Sequence, residues 1–167
     1  CVDDTYLPEE YLECQLISKI RDKGISVVVS AGNCDCAEGS GDLFCPVTNL
    51  PAACPGAISV AAVDAVAKRS SYSSYHSTVD IAAPGGDINV DLNADGYVDG
   101  VPSYVDLDEV VPYYQGTSMA APHVAGAIAL MKHVDPNLSP GDIDSLLQSG
   151  QLTKSDEQSS WSQELGY

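Results

Sequence analysis

The sequence predicts an α/β fold in which a parallel sheet has helices on both faces. Three short runs rich in β-branched and small apolar residues, at 25–31, 57–63 and 79–83, are typical of strands covered on both sides. Segments with helical patterns lie before and after these runs, an alternation that favours parallel strands. The 167 residues are enough for one domain, or a large part of one.

Three segments carry helical signals. Residues 9–23 have apolar side chains at helical spacing and Gly24 at the expected stop, which predicts an amphipathic helix with Leu12, Leu16, Ile17 and Ile20 on its apolar face. Residues 118–133 are small or apolar on nearly every side, which predicts a helix buried all round. Ser139-Pro140 supplies a cap and a first-turn proline for a third helix that Gly150 closes.

The composition limits the partners. The chain has 7 basic and 24 acidic residues and a net charge of −17, which repels nucleic acid and anionic membrane surfaces. The same negative charge is compatible with binding of calcium, with binding of cationic substrates, or simply with solubility. No apolar run reaches the roughly 20 residues that a membrane span requires.

All six cysteines lie in the first third of the chain. Only Cys34 and Cys36 are close in sequence, and their C-x-C spacing is not the one usual for structural zinc. We therefore predict disulfides, an oxidising compartment and a secreted or extracellular protein.

Residues 116–126, Gly-Thr-Ser-Met-Ala-Ala-Pro-His-Val-Ala-Gly, place Ser118 in the first turn of the long apolar helix. A helix N-terminus stabilises developing negative charge, and Gly116 permits a tight turn before it. A serine at this place can also be a simple helix cap.

This string resembles the nucleophile motif of the subtilisin-like serine protease family, the subtilases. The run from Val27 to Asn33 resembles the family strand that ends at the oxyanion-hole asparagine. Tyr72 and His76 stand where the family more often has Phe and Gly. Further stretches that resemble the family are residues 51–64, 73–85, 138–147 and 161–167.

The resemblance implies a serine endopeptidase that hydrolyses peptide bonds through an acyl-enzyme, with a polypeptide as substrate and no organic cofactor. Ser118 would be the nucleophile, and Asn33 would donate to the oxyanion together with the Ser118 backbone N–H. Substrate binding would fall to Ser30, Ala31, Gly32 and Thr117. The family also implies a disulfide from Cys54 to Cys1 or Cys14.

The catalytic Asp and the histidine that serves as general base are expected upstream of Cys1, because the family order is Asp, His and then Ser. His123 follows Ser118 by five residues, so it points about 140° away on the helix and is expected to be a core histidine. Neither His76 nor His133 is expected to act as the base. We therefore expect residues 1–167 to be the C-terminal part of one catalytic domain, incomplete at both ends, with the upstream part as its partner. The alternative is a non-catalytic pseudoprotease or a calcium-stabilised structural fragment.

Residues 87–108 are acidic and rich in turn formers, which predicts a long surface loop. Its oxygen donors follow the first nine positions of a calcium loop, with Gly96 at the turn. The predicted ligands are Asp91, Asn93, Asp95, the Tyr97 carbonyl and Asp99. Pro102 occupies the place of the closing glutamate, which Asp106 or Asp108 would have to replace; the alternative is a solvated acidic loop.

Overall fold

The computed structural model describes residues 11–33, 49–104 and 111–152. A parallel sheet of three strands in the order β1-β2-β3 forms the centre, and β4 and β5 form a small antiparallel pair. The α/β prediction is confirmed. No helix in these ranges is long and apolar enough to cross a membrane. In chain order the elements are α1 Leu12–Arg21, β1 Val27–Ser30, β2 Ala57–Val63, β3 Ile81–Pro84, β4 Val101–Pro102, β5 Tyr113–Tyr114, α2 Thr117–Val134 and α3 Pro140–Gln148.

Helices cover both faces of the sheet, as predicted. On β2, Ile58 packs in one cluster with Ala120 and Val124 of α2, whereas Ala57 packs against the cluster around Cys14 of α1. Successive residues of a strand point to opposite faces, so α1 and α2 lie on opposite sides. β2 is buried from residue 58 to 62, but β1 is only half-buried along its length. The predicted burial of β1 on both faces is therefore an overestimate.

Helix α1 exposes part of the face that the sequence was expected to bury. Leu12 and Leu16 are exposed, while Cys14 and Ile17 are buried, so half of the predicted face is wrong. The reason is the disulfide between Cys14 and Cys54, which turns the Cys14 side of the helix toward the sheet. This bond selects Cys14 from the two partners expected for Cys54. Cys1, Cys34, Cys36 and Cys45 lie outside the described residues, as does the predicted start of the helix at residue 9.

Helix α2 is buried on one side only. Ala120, Val124 and Ile128 pack onto the sheet, whereas Leu130 is 70% exposed, so the prediction of burial all round is wrong for the described part of the chain. The sheet contacts one face, and no described element covers the opposite one. The third helix begins as predicted: Ser139 and Asp142 form a reciprocal capping box, and Pro140 occupies the first turn.

Candidate active site

The turn before Ser118 requires glycine. Gly116 is the N-cap of α2 and has a φ of 147°, in a region that L side chains rarely adopt. A Cβ at this position would also lie 3.2 Å from Nδ2 of Asn33. The turn leaves Ser118 exposed as the second residue of the helix.

One backbone donor at the start of α2 is left open. The N–H of Thr117 donates to Oδ1 of Asn33 at 2.9 Å, and the N–H of Met119 donates to the Gly116 carbonyl at 2.9 Å. The Ser118 N–H between them has no partner among the residues that the structure describes. It therefore lies at the positive end of the helix as a free donor beside the hydroxyl of the same residue.

The side chain of Asn33 is oriented by Thr117. Its Oδ1 accepts from both the N–H and the hydroxyl of Thr117, each at 2.9 Å. Because a backbone N–H can only donate, the oxygen of the amide must face Thr117, and the Nδ2 donor remains for another acceptor. The Thr117 hydroxyl in turn accepts from the Gly32 N–H at 3.2 Å. The structure thus brings together Gly32, Asn33, Thr117 and Ser118.

The segment from Ser30 to Gly32 is fixed at the end of β1. Ala31 is fully buried and donates from its N–H to the Val60 carbonyl at 2.9 Å. Gly32 has a φ of 110°, and its carbonyl accepts from the Ser74 N–H at 2.9 Å. The three predicted substrate-binding residues of this segment, Ser30, Ala31 and Gly32, are therefore held by backbone hydrogen bonds and lie next to the turn before Ser118.

A residue without a sequence-predicted role, Tyr72, also contacts the turn before Ser118. Its hydroxyl donates to the Gly86 carbonyl at 2.6 Å and accepts from the Gly116 N–H at 3.0 Å. Burial raises the pKa of this phenol, which keeps it protonated. The only signal in the sequence is that tyrosine stands where the family more often has phenylalanine.

No described histidine forms a hydrogen bond with Ser118. His123 is exposed rather than in the core, which corrects the prediction, and its Nδ1 is 2.8 Å from the Met119 carbonyl one turn back on the helix. His76 is buried, its Nδ1 contacts Thr78, and burial lowers its pKa. His133 is exposed in the last turn of α2.

The acidic loop is built around Asp91. The two carboxylate oxygens of Asp91 accept from the N–H groups of Asp95 and Gly96, at 3.1 and 2.9 Å. Gly96 has a φ of 90°, as the tight turn requires. Of the predicted ligands, Asp91, Asn93, Asp95 and Tyr97 are exposed and Asp99 is half-buried. The described residues contain no group of three or more His, Cys, Asp or Glu close enough to hold a metal. Asp106 and Asp108 lie outside the described residues.

A family model described as the subtilase family matches residues 7–167. The chain belongs to the subtilase family. Curated subtilase relatives include an extracellular protease of Xanthomonas campestris pv. campestris, 39% identical over 76% of this chain and 20% of that protein. Subtilisin Savinase of Lederbergia lenta is 36% identical over 79% of this chain and 40% of that protein.

Solved subtilase-like structures agree with the fold. A protease of Pseudoalteromonas arctica PAMC 21717 has 34% identity and a TM-score of 0.66, covering 92% of this chain and 43% of that one. A cold adapted subtilisin-like serine proteinase has 28% identity and a TM-score of 0.61, covering 81% and 41%. The chain therefore spans less than half the length of each of these four relatives.

Proposed function

We propose that residues 1–167 are the C-terminal part of a subtilase catalytic domain, and that this domain is a secreted serine endopeptidase. The observation that carries the proposal is the arrangement of Asn33, Thr117 and Ser118. An exposed serine hydroxyl lies at a helix start, beside a free backbone N–H and an amide whose oxygen is already engaged by Thr117. Acyl transfer needs this combination of a nucleophile and oriented oxyanion donors.

The reaction follows from these groups. The Ser118 oxygen attacks the carbonyl carbon of the scissile peptide bond while its proton passes to a histidine base. The electron pair of the carbonyl moves to its oxygen, which accepts hydrogen bonds from the Ser118 N–H and from Nδ2 of Asn33. The amine then leaves with the proton, and water releases the acyl group in a second passage through the same oxyanion. Ser30, Ala31, Gly32 and Thr117 form the adjoining substrate edge.

The proposal places the catalytic Asp and His in a segment upstream of Cys1. Two facts support this: the family order of the triad puts both before the serine, and the relatives are more than twice as long as the stretch they share with this chain. His123 contacts a backbone carbonyl of its own helix and His76 is buried against Thr78. Neither arrangement supplies a base for Ser118.

We also propose a structural calcium ion in the acidic loop, held by Asp91, Asn93, Asp95, the Tyr97 carbonyl and Asp99. The donor types fit a hard cation, and the turn at Gly96 has the conformation that such loops use. The carboxylates at present accept backbone N–H groups, so binding would require them to turn toward the ion.

A fluorophosphonate probe tests the peptidase proposal, because it bonds covalently to an activated serine. We expect the isolated chain to stay unlabelled, since a serine without a base is a weak nucleophile. The chain joined to its upstream segment should be labelled stoichiometrically, and a Ser118→Ala variant should abolish the label.

Two outcomes would contradict this proposal. Labelling of the isolated chain at Ser118 would show that the base lies within residues 1–167. No labelling of the complete domain, together with no hydrolysis of a casein substrate, would favour the non-catalytic alternative.

A further inference from the structure

Tyr72 links Gly86, which follows β3, to Gly116, which directly precedes α2. Its hydroxyl is bonded on one side to the Gly86 carbonyl at 2.6 Å and on the other to the Gly116 N–H at 3.0 Å. We propose that Tyr72 is a positioning residue for Ser118, acting through Gly116. This inference rests on the proposed peptidase function.

The contact is tightly enclosed. Tyr72 is only 6% exposed, so water does not replace its hydroxyl easily. A Cβ built on Gly85 would lie 2.9 Å from both the Tyr72 oxygen and the Gly116 carbonyl, which shows how closely these three residues approach. The Gly116 N–H also donates to the Gly85 carbonyl at 3.0 Å. The Gly116 N–H therefore donates to two acceptors, the Gly85 carbonyl and the Tyr72 hydroxyl.

A displacement of Gly116 reaches the reacting groups directly. The Gly116 carbonyl accepts from the N–H groups of Met119 and Ala120, at 2.9 and 3.3 Å, and so begins α2. Ser118 lies between Gly116 and these partners. Its hydroxyl and its free N–H therefore move with the turn, and transition-state stabilisation is sensitive to small displacements of such groups.

The molecule contains a matched control for this contact. The Ser70 hydroxyl donates to the same Gly86 carbonyl at 3.2 Å, is also buried and hydrogen-bonds to Tyr72, but it makes no hydrogen bond to Gly116. Removing the Ser70 hydroxyl therefore weakens the contacts at Gly86 and at Tyr72 but leaves the hydrogen bond from the Gly116 N–H to the Tyr72 hydroxyl in place. Removing the Tyr72 hydroxyl removes that hydrogen bond as well.

The experiment compares Tyr72→Phe and Ser70→Ala with the wild-type complete domain. Peptide hydrolysis gives kcat and KM, fluorophosphonate labelling gives the rate of attack by Ser118, and thermal unfolding gives Tm. All rates are normalised to the titrated concentration of reactive serine, so a partly folded preparation is not mistaken for a slow enzyme.

We expect Tyr72→Phe to lower both kcat and the labelling rate roughly 2- to 10-fold, the loss of one modest hydrogen bond, with KM changed less than about 2-fold. Ser70→Ala should leave both rates near wild type while lowering Tm. If the wild type is labelled and Tyr72→Phe has the same rates as the wild type, the positioning role of Tyr72 is wrong and the proposed function still stands. A wild type that is not labelled would remove the proposed function and this inference with it.

Discussion

Asn33 and Thr117 are joined by two hydrogen bonds that end on the same amide oxygen, one from the Thr117 backbone and one from its hydroxyl, each 2.9 Å long. The pair connects the end of β1 to the start of α2. It also determines which end of the Asn33 amide remains free to donate, the group that we propose for a substrate oxyanion. The orientation of the donor is therefore a property of Thr117 as much as of Asn33.

Thr117→Val should reduce catalysis by loosening Asn33. The variant keeps the shape of threonine but loses a donor to Asn33 and the acceptor of the Gly32 N–H, in a side chain that is only 1% exposed. We expect kcat to fall by about 10-fold in the complete domain, and the free energy of unfolding by about 1–3 kcal/mol. Thr117→Ser keeps the hydroxyl and should remain near wild type in both. Equal activity of the valine and serine variants would contradict the role of this hydroxyl.

Removing the amide donor itself should cost more. Asn33→Asp can still accept from Thr117 but replaces the free donor with an acceptor that repels an oxyanion. The loss of kcat for removing an oxyanion-hole donor, about 100- to 1000-fold, is known from subtilisin and is carried over through family membership. Steady-state kinetics measures it, and an unchanged kcat would exclude Asn33 from the oxyanion hole.

Gly116→Ala should disturb the turn before Ser118. The added Cβ would lie 3.2 Å from Nδ2 of Asn33 at a φ of 147° that alanine rarely adopts. We expect a loss of stability of about 1–3 kcal/mol and a marked fall in the labelling rate of Ser118. Gly141→Ala is the control, since its nearest contact would be 3.8 Å away inside α3, and it should be neutral or slightly stabilising. Urea unfolding and probe labelling of both variants make the comparison.

Asp80 should make stability depend on pH. Burial raises its pKa to about 6, against the opposing effect of the Ser59 N–H, which donates to Asp80 at 2.8 Å; Asp144 raises the pKa further and Arg21 lowers it. The native state thus holds a proton that the unfolded state releases between pH 4 and 6, so the contribution of Asp80 to stability is fully present below pH 4 and is lost as the pH rises through this window. The full effect is about 3 kcal/mol.

Asp80→Asn isolates this contribution. Its amide oxygen can still accept from Ser59, but it does not ionise. Urea unfolding from pH 4 to 7 should show a steeper decline for the wild type than for the variant. Parallel curves would mean that the Asp80 carboxyl titrates normally.

The disulfide between Cys14 and Cys54 should contribute substantially to stability, because it spans 40 residues. Chain entropy alone gives about 4 kcal/mol for a loop of this size. A Cys14→Ala, Cys54→Ala double variant should lose a comparable amount in guanidinium unfolding. A loss below about 1 kcal/mol would show that the bond constrains little in the unfolded chain.

Calcium binding should protect the acidic loop. Chelation is expected to expose residues 91–99 to added protease, and Asp91→Asn should do the same in the presence of calcium. Asp22→Asn changes the charge equally at an exposed position far along the chain from the loop and should have no effect. The calcium site would be rejected if calorimetry showed no calcium binding and the chelator did not change the rate of cleavage.

The sequence predicted the features that depend on local pattern. The glycine turn at Gly116, the start of α2 and the cap at Ser139 each need only a few neighbouring residues, and each was predicted. The exposed side of α2 was not, because a segment that is apolar on every face carries no period from which a buried side can be chosen. The contact of Tyr72 with Gly116 joins residues 44 positions apart, and a single sequence does not encode it in any local pattern.

The hydrogen bonds between Asn33 and Thr117 also have a kinetic consequence. They close a separation of 84 residues, and Asn33 follows β1, which pairs in parallel with β2. Long-range parallel pairing is among the slower events in folding. We therefore expect the proposed oxyanion donor to be oriented only late in folding, once the sheet has formed.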